Sequence, residues 1–497
     1  MKDIRILDRV LQIGQEGLQL DERLGVLPLY RATRFVGASL QTLDLPDVKD
    51  RVKAAALRFR AYVNGQVQGE KPLVLAYQSR LQALLKKYGK KTRYPLKTDL
   101  EEYLTNSDKD IAGIQKILEA SGDPKALDDL KTFKEQIAAY HQFIKEQILP
   151  KARTDARLPV ELYRWELRQK GVSWSEKEAI TIGHHDYDQS KKEFARLLAQ
   201  VAEQRKTGKP TVVSVFENLR KDQLTDKDKA EKAFRTEIAR QNEIVKSEGL
   251  FPFPSTDVQI RMMTAEESQA EPYAHVSPPP LAFAMGESTV FLIPSLAKGA
   301  FSIPDFEYQA SVPLLVSHEV RPGHELFFNW VLEHGTTMIR ARYGYTVPSV
   351  EAWAFYAEDV MLKHLPLESQ LVWAQMRQWR SARMFLDPEL HQGKLNFEQA
   401  VHLLTDEVGL SRELSEQEVK RYVESDPAVA VAYAYGYKKL IELKDLVSKK
   451  MGKAFSDRCF NEFLLNNALV PIEWLKDYVK EMNCPKPAPK WQDLAAG

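Results

Sequence analysis

Residues 313–334 read PLLVSHEVRPGHELFFNWVLEH, and this stretch decides how the C-terminal part of the chain folds. Its pattern is helical, but Pro322 and Gly323 interrupt it between His318 and His324. Pro322 lacks an amide donor and would clash with the carbonyl of His318, while Gly323 tolerates unusual backbone dihedrals. We therefore expect a helix that is broken here, with a histidine on each side of the break.

The two histidines and the glutamate after the first of them are residue types that build zinc sites. In the motif HExxH, two histidines one helical turn apart bind zinc and the glutamate is the general base. His318 and His324 are six residues apart, which places them roughly 120° from each other on an ideal helix. Both can reach one ion only if the helix is deformed between them. The stretch thus suggests a zinc site in which Glu319 is the base.

A third protein ligand and an open position are needed for zinc in a catalytic site. Residues 351–358 read EAWAFYAE, in which Glu351 and Glu358 are seven apart and share one helix face. The aromatic residues between them indicate a buried helix, and buried carboxylates need a metal or a partner. We predict Glu351 as a ligand and Glu358 as the group that orients a ligand imidazole. Two surface glutamates are the alternative interpretation.

The composition narrows the class of protein. The chain has 497 residues, with 70 Lys and Arg against 69 Asp and Glu, so its net charge is +1. Nucleic-acid binding needs an excess of cations, so we expect no nucleic-acid partner. Two cysteines exclude a disulfide framework and a CxxC zinc site. Six of the ten histidines fall within residues 318–402, which directs attention to that region.

Targeting signals are absent from the sequence as written. No stretch approaches the roughly 20 apolar residues that span a bilayer. The N-terminal residues are charged and lack an apolar run of signal-peptide length. We expect a cytoplasmic protein with no membrane partner. The alternative is the mature form of an exported bacterial protein, and the sequence does not indicate the oligomeric state.

Residues 1–250 are expected to be mostly helical. Three predicted helices are 123–150 (with an apolar stripe from Leu127 to Ile148), 175–206, and 226–248 after Thr225 and before Gly249. In the first, Asp123 is the N-cap and Pro124 suits the first helical position. In the second, Ser175 and Glu178 match a capping box.

Prolines punctuate residues 250–313, and short β-prone runs lie between them. The predicted strands are 258–263, 281–285 and 289–293. We expect a mainly α (α+β) fold, with one small sheet at about 257–294 beside the active-site helices. The predicted parts are a helical N-terminal part, 1–250, that forms a cleft wall, and a catalytic part, 251–497, in one continuous unit.

The site motifs resemble those of a known family. HEVRPGH followed by EAWAFYAE is similar to the HExxPGH and EGWAxYAE motifs of domain-of-unknown-function family 885. Its members are bacterial, zincin-like and placed among the gluzincin metallopeptidases. Residues 380–391 and 426–444 resemble further family motifs, and the likeness covers roughly residues 130–482.

The resemblance implies a helix-rich zincin-like metallopeptidase that hydrolyses short peptides. One Zn²⁺ would be held by His318, His324 and Glu351, with metal-activated water as nucleophile and Glu319 as general base. The chain departs from the family pattern at Phe327, Ala352 and Glu389. These departures put substrate preference in doubt rather than metal binding.

The oxyanion of the tetrahedral intermediate needs a second electrophile besides the metal. Tyr433, which matches a family tyrosine, is the first candidate and His391 the second. A packed aromatic is the alternative for Tyr433, and Tyr435 and Tyr437 compete for the role. For His391 the alternative is a structural hydrogen bond to Asp387 one helical turn earlier, which would orient the ring.

Substrate-binding groups are less well indicated. Arg380 and Arg383 are candidates to bind a substrate carboxylate, and internal salt bridges are the alternative. Strand 289–293 could hold an extended peptide by edge addition. The alternative functions are an inactive peptide- or metal-binding protein on a peptidase scaffold, and a zinc hydrolase of non-peptide amides or esters. The sequence does not separate exopeptidases from endopeptidases.

Overall fold

A computed structural model shows a mainly helical chain with one small sheet. It describes residues 2–41, 48–65, 71–208, 210–224, 226–264, 267–268, 273–282, 286–294, 305–306 and 308–482. By internal contacts the chain divides into two compact units, Gly14–Ala156 and the remainder, Met1–Ile13 with Arg157–Gly497. The predicted boundary near residue 250 coincides with neither break, and the predicted cleft wall stays a prediction.

The α-helices of the described residues are numbered in chain order. Before the sheet lie α1 Lys2–Leu24, α2 Ala32–Gln41, α3 Val48–Asn64, α4 Leu73–Tyr88, α5 Lys97–Ser121, α6 Pro124–Phe143, α7 Val160–Lys170, α8 Glu176–Arg205, α9 Val212–Leu219 and α10 Lys227–Glu248. After the sheet lie α11 Val312–Leu315, α12 His324–His334, α13 Met338–Tyr343, α14 Val347–Met361, α15 Leu367–His391, α16 Phe397–His402, α17 Arg412–Lys420, α18 Val429–Met451 and α19 Asp457–Asn466.

Tighter and wider helical turns extend or join these helices. The π-helical turns are Ile144–Ile148, Val316–Val320, Leu403–Val408 and Arg421–Ser425. The 3₁₀ turns are Gly89–Lys91, Leu149–Lys151, Leu362–His364, Gly452–Ala454 and Ile472–Glu481. A π-helical turn is rare and frequently lies at a functional site, so Val316–Val320 and Arg421–Ser425 draw attention.

The unit Gly14–Ala156 has a helical apolar core of its own. Its α6 begins as predicted: Asp123 is the N-cap, accepting a backbone hydrogen bond, and Pro124 is the first residue. The predicted apolar stripe is buried except at its first position, where Leu127 is 45% exposed and the neighbouring Ala126 is buried instead. The local signals therefore set the start of the helix, while packing selected which residue at its first turn is covered.

In the other unit, the two helices predicted from sequence signals are also present. Helix α8 follows the capping box of Ser175 and Glu178, in which each side chain bonds to the other's backbone amide. Helix α10 follows the N-cap Asp226 and ends at Gly249, whose positive φ closes the last turn. Thr225 lies outside the described residues.

The sheet has three strands in the order β1–β3–β2. They are β1 Gln259–Met262, β2 His275–Ser277 and β3 Val290–Ile293, with β1 parallel and β2 antiparallel to β3. Two strands match predicted runs, but β2 was not predicted. The predicted run 281–285 begins in a turn, and its residues 283–285 lie outside the described residues.

Strand β3 is the central strand, which corrects the prediction that a peptide adds to its edge. Phe291 is paired with Ile260 on one side and with Val276 on the other. Three consecutive buried residues of β3 are typical of a strand that is covered on both faces. An extended peptide can therefore pair only with an outer strand, β1 or β2.

Helices α14 and α18, which carry Glu351 and Tyr433, pack tightly against each other at Gly436. A Cβ atom there would lie 2.1 Å from the carbonyl oxygen of Pro348. We expect Gly436→Ala to lower the free energy of unfolding by at least about 1–3 kcal/mol, because a backbone atom must move. Urea unfolding measures this. Gly113→Ala on α5 is the matched control, with nothing within 4 Å, and is expected to be neutral or stabilising; equal losses would contradict the packing argument.

Candidate metal centre

The helix break predicted from the sequence is present, and it shapes the centre. Helix α11 continues into the π-helical turn Val316–Val320, the chain then becomes extended at Arg321, and α12 begins at His324. A Cβ at Gly323 would lie 1.8 Å from the carbonyl oxygen of His318, so only glycine fits. The Trp353 indole donates to the carbonyl oxygens of residues 322 and 323, at 2.9 and 3.0 Å, and fixes the turn.

His318, His324 and Glu351 meet at one point. Their candidate ligand atoms all lie within 4.8 Å of one another. Nε2 of His318 is 3.6 Å and Nε2 of His324 is 3.7 Å from the Glu351 carboxylate oxygens. Bonds of about 2.0–2.1 Å in a tetrahedral zinc site imply ligand atoms about 3.3–3.5 Å apart. The three residues therefore fit one zinc ion with small adjustments.

Glu358 orients His318. Its carboxylate lies 2.7 Å from Nδ1 of His318 and accepts two hydrogen bonds from Arg380, both 2.6 Å. Burial would raise the pKa of Glu358, but Arg380 and His318 outweigh burial and lower it to about 2. The ionised carboxylate holds the proton of His318 on Nδ1 and leaves Nε2 directed at the cluster. Arg380 thus forms an internal salt bridge with Glu358, which was the alternative to binding a substrate carboxylate.

The charges at the centre are unbalanced. Glu319, Glu351 and Glu358 stand against the Arg380 guanidinium, which leaves a net negative charge if all three carboxylates are ionised, even when the His318 imidazole is protonated. Burial raises the pKa of Glu351 and raises that of Glu319 to about 7. Burial also holds the pKa of His324 well below its usual value, which keeps the imidazole in its metal-binding, neutral form. Because buried charges need compensation, this donor set fits a divalent cation.

Glu319 lies beside the three ligand candidates, and a backbone amide of the sheet positions its carboxylate. Its Oε1 is 3.7 Å from Nε2 of His318. Its Oε2 accepts a hydrogen bond of 3.3 Å from the backbone amide of Val276 in β2. The strand that the sequence did not predict therefore positions the predicted base.

His318, Glu319, Glu351 and Glu358 line a cavity of about 460 Å³. Its other walls are largely aromatic and apolar, and include Tyr273, Phe306, Phe355, Met376, Trp379 and Leu414. Small-molecule sites typically measure about 300–1,000 Å³ and combine apolar walls with a few polar groups. The cavity thus has the size and lining of a binding site for a small ligand.

Of the three tyrosines considered for the oxyanion, Tyr433 lines this cavity. The hydroxyl of Tyr435 is bonded to Glu473 at 2.5 Å, and that of Tyr437 is bonded to Asp359. Burial raises the pKa of Tyr433, so its hydroxyl stays protonated and able to donate. The structure therefore favours Tyr433 over its two neighbours.

His391 and Asp387 are not brought to the metal candidates, and neither lines the cavity. Nδ1 of His391 accepts from the amide of Leu158 at 3.0 Å, and Nε2 lies 3.1 Å from the carbonyl oxygen of Tyr422. Asp387 accepts a hydrogen bond from the Tyr163 hydroxyl at 3.0 Å. The predicted catalytic role of His391 is corrected, because main-chain partners use both ring nitrogens. Asp387 lies beside the ring as predicted, with Oδ1 3.7 Å from Nε2 of His391, but this distance exceeds that of a hydrogen bond.

Sequence reasoning missed several residues at the site. Tyr345 interacts electrostatically with Glu351 and Glu319, although it lies outside both motifs. Arg421 lines the cavity together with Arg383, which is bonded to a glutamate rather than free. No pattern in the sequence singles out Tyr345 or Arg421, since each is close to the motifs only in the folded chain.

Glu358→Gln tests the orienting role. We expect the affinity for zinc to fall about 10- to 100-fold, because the neutral amide no longer polarises His318. Competition with a chromogenic chelator measures the affinity. Glu389→Gln is the matched control, since it removes a carboxylate that contacts the exposed His184 at 3.1 Å. Unchanged affinity in Glu358→Gln would remove this residue from the metal centre.

Fold and site define a mainly helical protein with a candidate three-residue metal centre in a cavity. The family model described as "Bacterial protein of unknown function (DUF885)" matches residues 44–479. The chain therefore belongs to this family, which confirms the resemblance seen in its motifs. No curated protein matches the chain.

Two solved structures share the fold, and both are described as a "putative lipoprotein". The one from Colwellia psychrerythraea has a TM-score of 0.68 at 17% identity, covering 90% of this chain and 78% of the other. The one from Shewanella oneidensis, of unknown function, has a TM-score of 0.67 at 17% identity, covering 96% and 87%. Within the described residues, none of the helices is long and apolar enough to cross a membrane.

Proposed function

We propose that this protein is a zinc-dependent peptidase of zincin type that hydrolyses short peptides. The observation that carries the proposal is the meeting of His318, His324 and Glu351 with Glu319 beside them. His318, Glu319 and Glu351 line one cavity. Zinc held by the first three residues would supply a Lewis acid that polarises a carbonyl group and acidifies water. The remaining chemistry belongs to the protein's own side chains.

Glu319 is suited to move the proton. In the metal-free protein, burial raises the pKa of Glu319 to about 7. A carboxylate beside the metal candidates is a group that can accept a proton and give it up again. The Val276 amide holds Oε2, which leaves Oε1 on the side of His318. Glu319 would take a proton from the attacking water and deliver it to the leaving amine as the C–N bond breaks.

Tyr433 is the proposed donor to the developing oxyanion, because it lines the same cavity and its hydroxyl is protonated. A substrate strand is proposed to lie along β2 rather than β3. Tyr273 and Ala274, just before β2, line the cavity. A peptide bound there would pass beside Glu319, which β2 already contacts.

Metal analysis together with a peptide mixture tests the proposal. We expect about one zinc per chain after purification without chelator, and cleavage that stops on chelation and returns with zinc. Zinc binding without cleavage of any peptide would favour the inactive binding protein. Cleavage of ester or non-peptide amide substrates alone would favour the other hydrolase. No bound zinc would overturn the proposal.

We also propose that the chain works outside the cytoplasm, in agreement with the alternative prediction of an exported bacterial protein. Both solved neighbours carry a description that names them as lipoprotein candidates. Cys459 is disulfide-bonded, and disulfides persist in oxidising compartments; the other cysteine, Cys484, lies outside the described residues. Alkylation of the protein isolated from its native cells should label no cysteine until a reductant is added. Free thiols in that sample would contradict export.

A further inference from the structure

A second charged cluster lines the same cavity as the metal candidates. It consists of Arg383, Glu418 and Arg421, and is called the arginine cluster below. Arg383 donates two hydrogen bonds to Glu418, of 3.0 and 2.8 Å, and Arg421 donates two more, of 2.9 and 3.0 Å. One carboxylate thus faces two guanidinium groups, and the cluster keeps one positive charge.

Glu418 has no further capacity to neutralise that charge. Besides the two arginines it accepts a hydrogen bond of 2.8 Å from the Tyr422 hydroxyl, and a carboxylate offers about four acceptor positions. Burial would raise the pKa of Glu418, but the arginines lower it to about 2, so it is ionised. Glu351 of the same cavity acts electrostatically on Arg383. With Glu351 engaged by a metal, the remaining positive charge favours an anionic group of a ligand.

Both guanidinium groups have N–H donors that are not used within the cluster. Each has five N–H groups, and among the described residues neither Nη1 atom has a hydrogen-bond partner. Aromatic rings lie beside both groups: Arg383 is 3.9 Å from the ring centre of Trp379, and Arg383 and Arg421 are 4.8 and 5.8 Å from that of Tyr433. Such fixed, planar donors match the geometry of a carboxylate.

The cluster is a short distance from the metal candidates. The ring centres of Tyr433 and Phe355 are 6.1 Å apart, and those of Phe355 and His318 are 5.3 Å apart. An extended peptide advances about 3.3–3.6 Å per residue. A peptide of very few residues therefore reaches from one group to the other within the cavity.

Other arginines near the cavity do not offer this chemistry. Arg380 gives two hydrogen bonds to Glu358, in a one-to-one pair that carries no net charge. Arg377 is paired with Asp359 and belongs to a separate cavity of about 470 Å³. The excess positive charge is a property of the arginine cluster.

We propose, on the basis of the peptidase function above, that the arginine cluster binds the free C-terminal carboxylate of the substrate. The enzyme would then cleave near the C-terminus of short peptides and release the C-terminal residue or a very short fragment. A side-chain carboxylate has the same chemistry, and the experiment below separates the two sources.

The test uses N-acetylated alanine peptides in three forms: free acid, C-terminal amide, and amide with a C-terminal glutamate. Binding to the zinc-loaded protein is measured by calorimetry with reduced-amide analogues, which cannot be hydrolysed, and cleavage is followed by mass spectrometry. We expect the free acid to bind and react about 10- to 100-fold better than the plain amide. In Arg421→Gln this ratio should fall towards one, and Arg421→Lys should restore part of it.

Arg412→Gln is the matched control, because Arg412 pairs with Glu398 and Glu416 at the surface and does not line the cavity. It should keep the wild-type preference. Equal binding of acid and amide, or a preference that survives in Arg421→Gln, would overturn the inference. So would an amidated glutamate peptide that binds as well as the free acid. Preferential binding of the free acid without any cleavage would contradict the peptidase function but would still support the carboxylate site.

Discussion

Glu319→Gln is expected to leave zinc bound while the rate of peptide hydrolysis falls about 10²- to 10⁴-fold. Glutamine cannot accept the proton of the attacking water, yet its size and its contact with the Val276 amide are kept. Because Glu319 is not among the three ligand candidates, the zinc content should stay near that of the wild type. Steady-state kinetics on one peptide and metal analysis of the same preparation give both quantities.

The control for this variant is Glu416→Gln, which neutralises a surface carboxylate paired with Arg412. It should hydrolyse the peptide at the wild-type rate. Retention of full activity in Glu319→Gln would exclude Glu319 as the general base. A parallel loss of zinc and activity would instead make Glu319 part of the ligand set.

Glu351→Ala should produce the largest loss of metal. Removal of this carboxylate leaves two imidazoles, and we expect zinc affinity to fall more than about 100-fold, beyond the effect of altering an orienting residue. The variant also removes one of the three carboxylates at the centre, so the attraction for a divalent cation weakens further. Hydrolysis should be lost with the metal, and metal analysis after dialysis reports the occupancy.

His364→Gln is the matched control for the loss of a ligand, because His364 lies 3.0 Å from Glu248 and away from the metal candidates. Its zinc content should equal that of the wild type. Full occupancy of the site in Glu351→Ala would remove Glu351 from the ligand set. Full occupancy would also contradict the expected order of zinc affinities, in which Glu351→Ala loses more affinity than Glu358→Gln.

Local signals in the sequence predicted much of the helical structure. Asp123, Ser175 and Gly249 lie where the caps were predicted, since a cap depends on backbone groups within a few residues. Strand β2 had no such signal. Its three residues, His275–Ser277, are a strand only because β3 pairs with them, and the pairing partner lies outside the local window.

At the candidate site, too, the sequence correctly indicated some residues and misled for another. The motif residues His318, His324 and Glu351 were chosen by residue type and spacing, and the structure brings them together. His391 was chosen by resemblance alone, and main-chain groups occupy it. Position in a family motif indicates a residue's neighbourhood, but the direction of its side chain depends on the elements packed around it.

Residue types and spacing in the sequence identified the candidate ligands and base, and located the break in the helix between His318 and His324. Both follow from covalent structure, because proline lacks an amide donor and glycine lacks a Cβ atom. Three features are visible only in the folded chain: β3 is central, β2 holds Glu319, and Arg383 and Arg421 share one carboxylate. These relations join residues far apart in the chain, and packing of the whole unit, rather than any local preference, selects them.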